Sequence, residues 1–410
     1  MCRVASFCFV FILFFQSVEC NAQSGWFSQN PLPNGNHLYG VSFTDVDNGT
    51  AVGWEGTILR TTDGGTSWTN QTSGTTEYLQ GVSFTDSNTG TAVGNNGTIL
   101  RTTDGGTSWT SQTSGTTNPL QGVSFSDANN GTAVGWEGTI LRTTDGGASW
   151  TSQTSGTIEY LAGVSFTDPN IGTAVGTGGT ILRTTDGGAN WTNQQSGTMV
   201  NLQGVSFSDA NNGTAVGWEG IILRTTDRGV SWTSQTSGTI EYFAGVSFTD
   251  PNNGTAVGSG GTILRTTDGG ANWTNQQSGT TNNIYGVSFS HANTGTVVGE
   301  LGTILRTTTG GVTWVEDEKL SPSLFHLEQN YPNPVSSSTN IPFSIIRPEH
   351  VTLSVYNVLG RQVAVLADEE RTMGSHSVLF DATGLASGMY FYVLRTGSAV
   401  ETRKMLVVNH

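Results

Sequence analysis

GVSFTDVDNGTAVGWEGTILRTTDGGTSWTNQTSGTTEYLQ, residues 40–80, decides the fold, because the chain repeats it. Its first four letters return at Gly40, Gly81, Gly122, Gly163, Gly204, Gly245 and Gly286, always 41 residues apart. A tryptophan keeps the same register at Trp68, Trp109, Trp150, Trp191, Trp232, Trp273 and Trp314. A fixed period of this size marks a repeat architecture, in which each unit buries its apolar surface against the next.

Four runs within a unit read as strands. Tyr39–Asp45 alternates, with Val41 and Phe43 on one face and Ser42 on the other. Gly49–Trp54 and Gly56–Thr62 are rich in β-branched residues, and Ser67–Ser73 closes the unit. Turn residues separate them. One four-stranded meander has two faces and cannot cover both alone. Seven copies set radially can, so the sequence predicts an all-β fold with a seven-bladed β-propeller of four-stranded blades over residues 23–318. A linear solenoid is the alternative; four strands per unit favour the propeller. The run WFSQNPLP from Trp26 resembles the fourth-strand run WTSQTSGT, whereas Trp314 is followed by VEDEK. The N-terminal segment is therefore expected to close blade seven and cover an open sheet edge.

Composition agrees and excludes some partners. Only 11 % of residues are charged and there are 56 glycines, which suits short strands and tight turns. The net charge is −15 and no lysine precedes Lys319, so nucleic acid is not an expected partner. Cys2, Cys8 and Cys20 all lie at the extreme N-terminus, around the apolar run Ala5–Phe15. Residues 1–22 read as a secretory signal peptide cut after Ala22. The apolar run is too short to span a bilayer, so the mature chain is expected to carry no transmembrane segment. It would also carry no cysteine, which removes disulfides and thiolate metal sites.

Thr61-Thr62-Asp63-Gly64-Gly65-Thr66-Ser67-Trp68 fits the pattern Ser/Thr-x-Asp-x-Gly-x-x-Trp, and the aspartate recurs at Asp104, Asp145, Asp186, Asp227 and Asp268. Here the chain resembles the BNR/Asp-box propellers, and among them the photosystem II stability/assembly-factor-like domain. A motif carried by six blades reads as scaffold: the aspartate caps its own turn and Trp68, Trp109, Trp150, Trp191, Trp232 and Trp273 wedge between sheets.

Past a linker at 319–324, alternating strands over residues 325–410 suggest a small Ig-like β-sandwich. Asn330-Tyr331-Pro332-Asn333-Pro334, the run VYNVLG, the run GMYFYVL and terminal Lys404-Met405 occur in order. This segment resembles the type A C-terminal sorting domain of the type IX secretion system. The resemblance implies a Bacteroidota-type bacterium, export machinery as a partner of residues 325–410, and a secreted or cell-surface destination.

Function is sought where the copies differ. The second-to-third-strand turn reads Trp54-Glu55, Trp136-Glu137 and Trp218-Glu219 in blades one, three and five. The links into blades two, four and six carry Glu77-Tyr78, Glu159-Tyr160 and Glu241-Tyr242. In a meander these turns and links share one end. Aromatic faces stack on sugar rings and carboxylates accept from sugar hydroxyls, so three weak, equivalent glycan sites are expected, gaining avidity together. The competing readings are a protein-docking platform and simple duplication of a blade pair. Enzyme chemistry is not expected. Arg60, Arg101, Arg142, Arg183, Arg224, Arg265 and Arg306 hold one equivalent position rather than a converging sialidase cluster, and no asymmetric pair of carboxylates emerges. The histidines have no metal spacing, and no cofactor is expected.

Overall fold

In blade one, Leu38–Phe43, Gly49–Gly53, Ile58–Thr61 and Thr69–Gln71 pair in that order as an antiparallel meander. The structure, a computed structural model, describes residues 25–29, 35–312, 325–345, 347–396 and 400–408. The expected signal peptide, Trp314 and the 319–324 linker lie outside these residues. The meander repeats through blade six. The seventh sheet takes Ile284–His291, Thr294–Gly299 and Ile304–Thr307 from its own repeat and its outermost strand, Phe27–Ser28, from the other end of the chain. Phe27 pairs with Arg306 and Ser28 with Leu305. Trp26 is buried and meets Phe289 edge-on at 6.0 Å, as Trp68 meets Phe43 at 6.1 Å. The tryptophan of blade seven is thus Trp26.

The repeated letters are the contacts between blades. Gly40 sits where the innermost strands of blades one and two converge; a Cβ there would lie 3.1 Å from the Gln80 carbonyl. Ser42 Oγ accepts the N–H of Phe84 in the next blade at 3.1 Å, and the series runs round to Phe43 N–H on Ser288 Oγ at 3.0 Å. Val52 and Ile58 of blade one pack against Leu79, Ala92 and Leu100 of blade two. Arg60 lies buried across the same junction. It donates to Thr50 Oγ1 at 3.1 Å and to the Ser87 carbonyl at 2.8 Å, with its guanidinium 5.4 Å from the Phe84 ring. Arg306 closes the circle on the Val46 carbonyl at 2.6 Å and the Phe43 ring. Six of the repeat arginines, Arg60, Arg101, Arg142, Arg224, Arg265 and Arg306, are clamps between neighbouring sheets, with a cation–π component.

The chain divides into two compact units, residues 1–314 and 315–410. The second is a sandwich of a three-stranded sheet (Phe325–Leu327, Ser338–Ile345, Gly374–Asp381) and a four-stranded one (Glu349–Asn357, Gln362–Arg371, Gly388–Arg395, Val400–Val407). Ile341, Phe343 and Ile345 of one sheet and Val351, Leu353, Tyr392 and Met405 of the other share its core. Tyr392 also ties down the residues that lead into the proline motif. Its hydroxyl accepts the Asn330 N–H at 2.8 Å and donates to the Glu328 carbonyl at 2.9 Å, while buried Asn330 binds Thr339 Oγ1 at 2.9 Å. No helix among the described residues is long and apolar enough to cross a membrane.

Candidate functional site

The two ends of the ring differ in chemistry. All seven glutamates between residues 35 and 312 lie on second-to-third-strand turns or on links between blades, hence at one end. All thirteen aspartates in that range lie on the first-to-second-strand turns or the Asp-boxes, at the other end. Among the described residues of the propeller, no lysine or arginine stands at the glutamate end.

The Asp-box carboxylates are spent within their own turns. Asp63 accepts the Thr61 hydroxyl at 2.8 Å, the Ser67 N–H at 2.9 Å and the Ser67 hydroxyl at 2.6 Å. Asp104, Asp145, Asp186, Asp227 and Asp268 repeat the pattern with Ser108, Ser149, Asn190, Ser231 and Asn272. These donors, the side chain four residues on first among them, hold Asp145, Asp227 and Asp268 at about 2. Trp109 and Trp273 donate from Nε1 to Gln71 and Gln235 of the preceding blades. Among the described residues, no group of three or more acidic, histidine or cysteine side chains is placed to hold a metal.

At the glutamate end each tip is a tight turn with two successive left-handed residues. Glu55 has φ 52° and Gly56 φ 68°. Hairpins of this type favour Asn-Gly or Gly-Gly. Blades two, four and six obey with Asn96-Gly97, Gly178-Gly179 and Gly260-Gly261, whereas the odd blades force Glu55, Glu137, Glu219 and Leu301 into that conformation. A side chain there costs about 1–2 kcal/mol.

The predicted aromatic residues do come together. Trp54 meets Tyr78 at 5.7 Å, Trp136 meets Tyr160 at 6.2 Å and Trp218 meets Tyr242 at 6.2 Å, all edge-on. They are not equivalent. Trp136 and Trp218 are about half exposed, at 53 % and 48 %. Trp54 instead stacks on His37 at 4.8 Å. The link glutamates also turn to other partners: Glu159 accepts the Thr177 hydroxyl and Glu241 the Ser259 hydroxyl, each at 2.5 Å. Burial pushes the Tyr160 and Tyr242 hydroxyls up, the latter to about 12.

One set of residues escaped the sequence reading. Every first strand carries a β-bulge just before its invariant glycine, as between Leu38 and Gly40. A bulge re-aims a side chain. Here the bulged residues ring the mouth of the central channel: Tyr39 and Tyr285, Gln80, Gln121 and Gln203, and the small Ala162 and Ala244. With Tyr242 they line a cavity of about 300 Å³. Gln121 donates to Gln80 at 3.3 Å, and Tyr39 and Tyr285 set their rings 5.5 Å apart. Beside them Glu300 accepts the Tyr285 hydroxyl at 2.7 Å and the Asn283 amide at 2.9 Å, and the Tyr285 bond holds its carboxyl below the usual range. The signal was available: this is the variable column next to an unvarying glycine.

A family model described as photosynthesis system II assembly factor YCF48 matches residues 18–113, 154–239 and 232–324, well over half of the chain. The chain belongs to the YCF48 family. Among solved structures, YCF48 from Cyanidioschyzon merolae is 23 % identical, over 69 % of this chain and 99 % of that one, with a TM-score of 0.59. A structure of YCF48 bound to D1 peptide is 24 % identical, over 70 % and 97 %, with a TM-score of 0.60. The GH74 enzyme of Niastella koreensis is 15 % identical, over 93 % and 74 %, with a TM-score of 0.55. Likeness at these identities shows the fold alone. No curated protein matches the sequence. Unlike the propeller, residues 329–409 of this YCF48-family chain match a secretion system C-terminal sorting domain, which marks a secreted or cell-surface protein of a Bacteroidota-type bacterium.

Proposed function

We propose that the chain is an exported, non-enzymatic docking propeller that holds a basic polypeptide segment against its glutamate end. The single observation that carries this reading is the charge segregation: seven glutamates, and neither lysine nor arginine among the described propeller residues at that end. Such a field steers and holds a cationic partner. Half-exposed Trp136 and Trp218 supply the apolar anchors that protein interfaces use. The tips of blades one, three and five keep a glutamate in left-handed backbone where asparagine or glycine fits better, the kind of strain that accumulates at functional positions. The peptide held by a YCF48 of known structure supports the same class of partner. Against catalysis stands the use of every repeat arginine position as part of a junction between blades, buried and away from the glutamate end.

A second reading, glycan binding, is favoured by Trp136 beside Glu137 and Trp218 beside Glu219, where exposed rings adjoin exposed carboxylates. In this reading there are two matched platforms rather than three, because His37 covers Trp54. One array carrying basic peptides, acidic peptides and glycans, probed with the full-length protein and with a Trp136→Ala/Trp218→Ala variant, tests both. Salt-sensitive capture on basic peptides alone supports docking. Capture on glycans alone, lost in the variant, replaces docking with a lectin.

A further inference from the structure

The junction of blades seven and one carries a constellation found at no other junction among the described residues. Tyr39 and Tyr285 incline their rings at 46° at the channel mouth and line its cavity. Glu300 is fixed beside Tyr285 by its own hydrogen bonds, yet its donors are all uncharged: the Tyr285 hydroxyl, the Asn283 side chain and, on Oε2, the Asn283 N–H at 3.2 Å. His37 lies against the same turn, its Nδ1 accepting the Leu301 N–H at 3.4 Å. Leu301, next to Glu300, stands in left-handed backbone with φ 52° and 66 % of its surface exposed. An exposed leucine in a conformation that disfavours it needs a reason beyond the turn.

We infer that this corner is a binding site for an organic cation on an alkyl stem, the side chain of a lysine or arginine. The inference rests on the docking reading and narrows it to one pocket. Aromatic faces attract a cation held within about 6 Å of the ring centroid, and two tyrosines here face one cavity. The Glu300 carboxylate supplies the counter-charge, since its own hydrogen-bond donors are all uncharged. Leu301 offers apolar surface to the methylene stem, which long basic side chains bury while their heads stay polar. An anionic ligand would meet the glutamate end instead of a cation, and a neutral sugar would not use the charge of Glu300.

The full-length protein is titrated calorimetrically with Nα-acetyl-lysine amide, Nα-acetyl-arginine amide and the uncharged Nα,Nε-diacetyl-lysine amide. One or both cations bind, and the uncharged derivative binds at least about fivefold more weakly. Glu300→Gln, Tyr39→Leu and Tyr285→Leu each weaken the cation by a similar factor. Melting curves establish that the variants are folded. Equal binding of the uncharged derivative, or folded Glu300→Gln and Tyr39→Leu variants that bind like the parent, would overturn the site. Tetralysine separates this site from the docking reading. If tetralysine binding falls with Glu137→Gln and Glu219→Gln but not with the corner variants, the face stands and the corner is wrong. If the lysine derivative needs the corner and tetralysine gains nothing over it, the corner stands and the face is wrong.

Discussion

Arg183 of blade four faces the charge of Arg228 in blade five, and its Nη1 is buried without a partner. Its counterpart Arg142 donates to Thr132 Oγ1 at 3.1 Å and to the Pro169 carbonyl of the next blade at 2.7 Å. The difference lies in the Asp-box. The arginine of one blade approaches the first Asp-box glycine of the next, as Arg142 approaches Gly187, and position 228 is where that glycine has become arginine.

Arg228→Gly is therefore expected to stabilise the ring. It removes a side chain at φ 71° and lets Arg183 complete its clamp. Relief of the left-handed backbone alone is worth about 1–2 kcal/mol, a rise of roughly 2–4 °C per kcal/mol for a domain of this size. Thermal unfolding measures it; a lower melting temperature would mean that the Arg228 bond to Asn211 at 2.9 Å outweighs the strain.

The strained glutamate tips predict opposite changes in stability and binding. Glu137→Gly and Glu219→Gly copy the natural sequence of blades four and six, so each should raise stability, by up to about 1 kcal/mol. Each should also weaken capture of a basic peptide and flatten its salt dependence. Denaturant titration and peptide binding on the same samples check the pair.

Trp26→Ala should destabilise the propeller as much as Trp68→Ala, by about 3–5 kcal/mol each. The two side chains bury equivalent surfaces in blades seven and one. A neutral Trp26→Ala in urea unfolding would remove the N-terminal segment from the ring.

Acid should unfold the ring through the Asp-boxes. Asp145, Asp227 and Asp268 titrate at about 2 when folded, below their ordinary value of 3.8. The folded chain binds these protons less readily than the unfolded one, so the stabilisation is complete above pH 4 and is lost as pH falls from about 4 to about 2. A triple Asp→Asn variant should show a shallower acid transition; an unchanged slope would assign acid sensitivity elsewhere.

Much of this was legible because repetition separates signal from variation. The 41-residue spacing gives the blades, and WFSQ at Trp26 already resembles a fourth strand, so the closing segment could be read before it was seen. Trp and Glu at alternate tips singled out the end of the ring at which the glutamates gather. Their inequality was not readable, since it depends on His37 lying against Trp54 and on Thr177 and Ser259 capturing Glu159 and Glu241 across the turn. Nor was the channel ring: a bulge changes where a residue points without changing the alternation of letters around it. Glu300 and Leu301 went unread for a related reason, because seven-fold repetition draws attention to what recurs.

Closure of the ring by Phe27–Ser28 on Ile304–Thr307 has a mechanical consequence. The paired residues lie at opposite ends of the propeller sequence. A pull between the two ends of the propeller is borne first by this short strand pairing, not by the six blades built from contiguous sequence. Under tension the propeller should fail at its latch and then unravel blade by blade from there, whichever end is tethered.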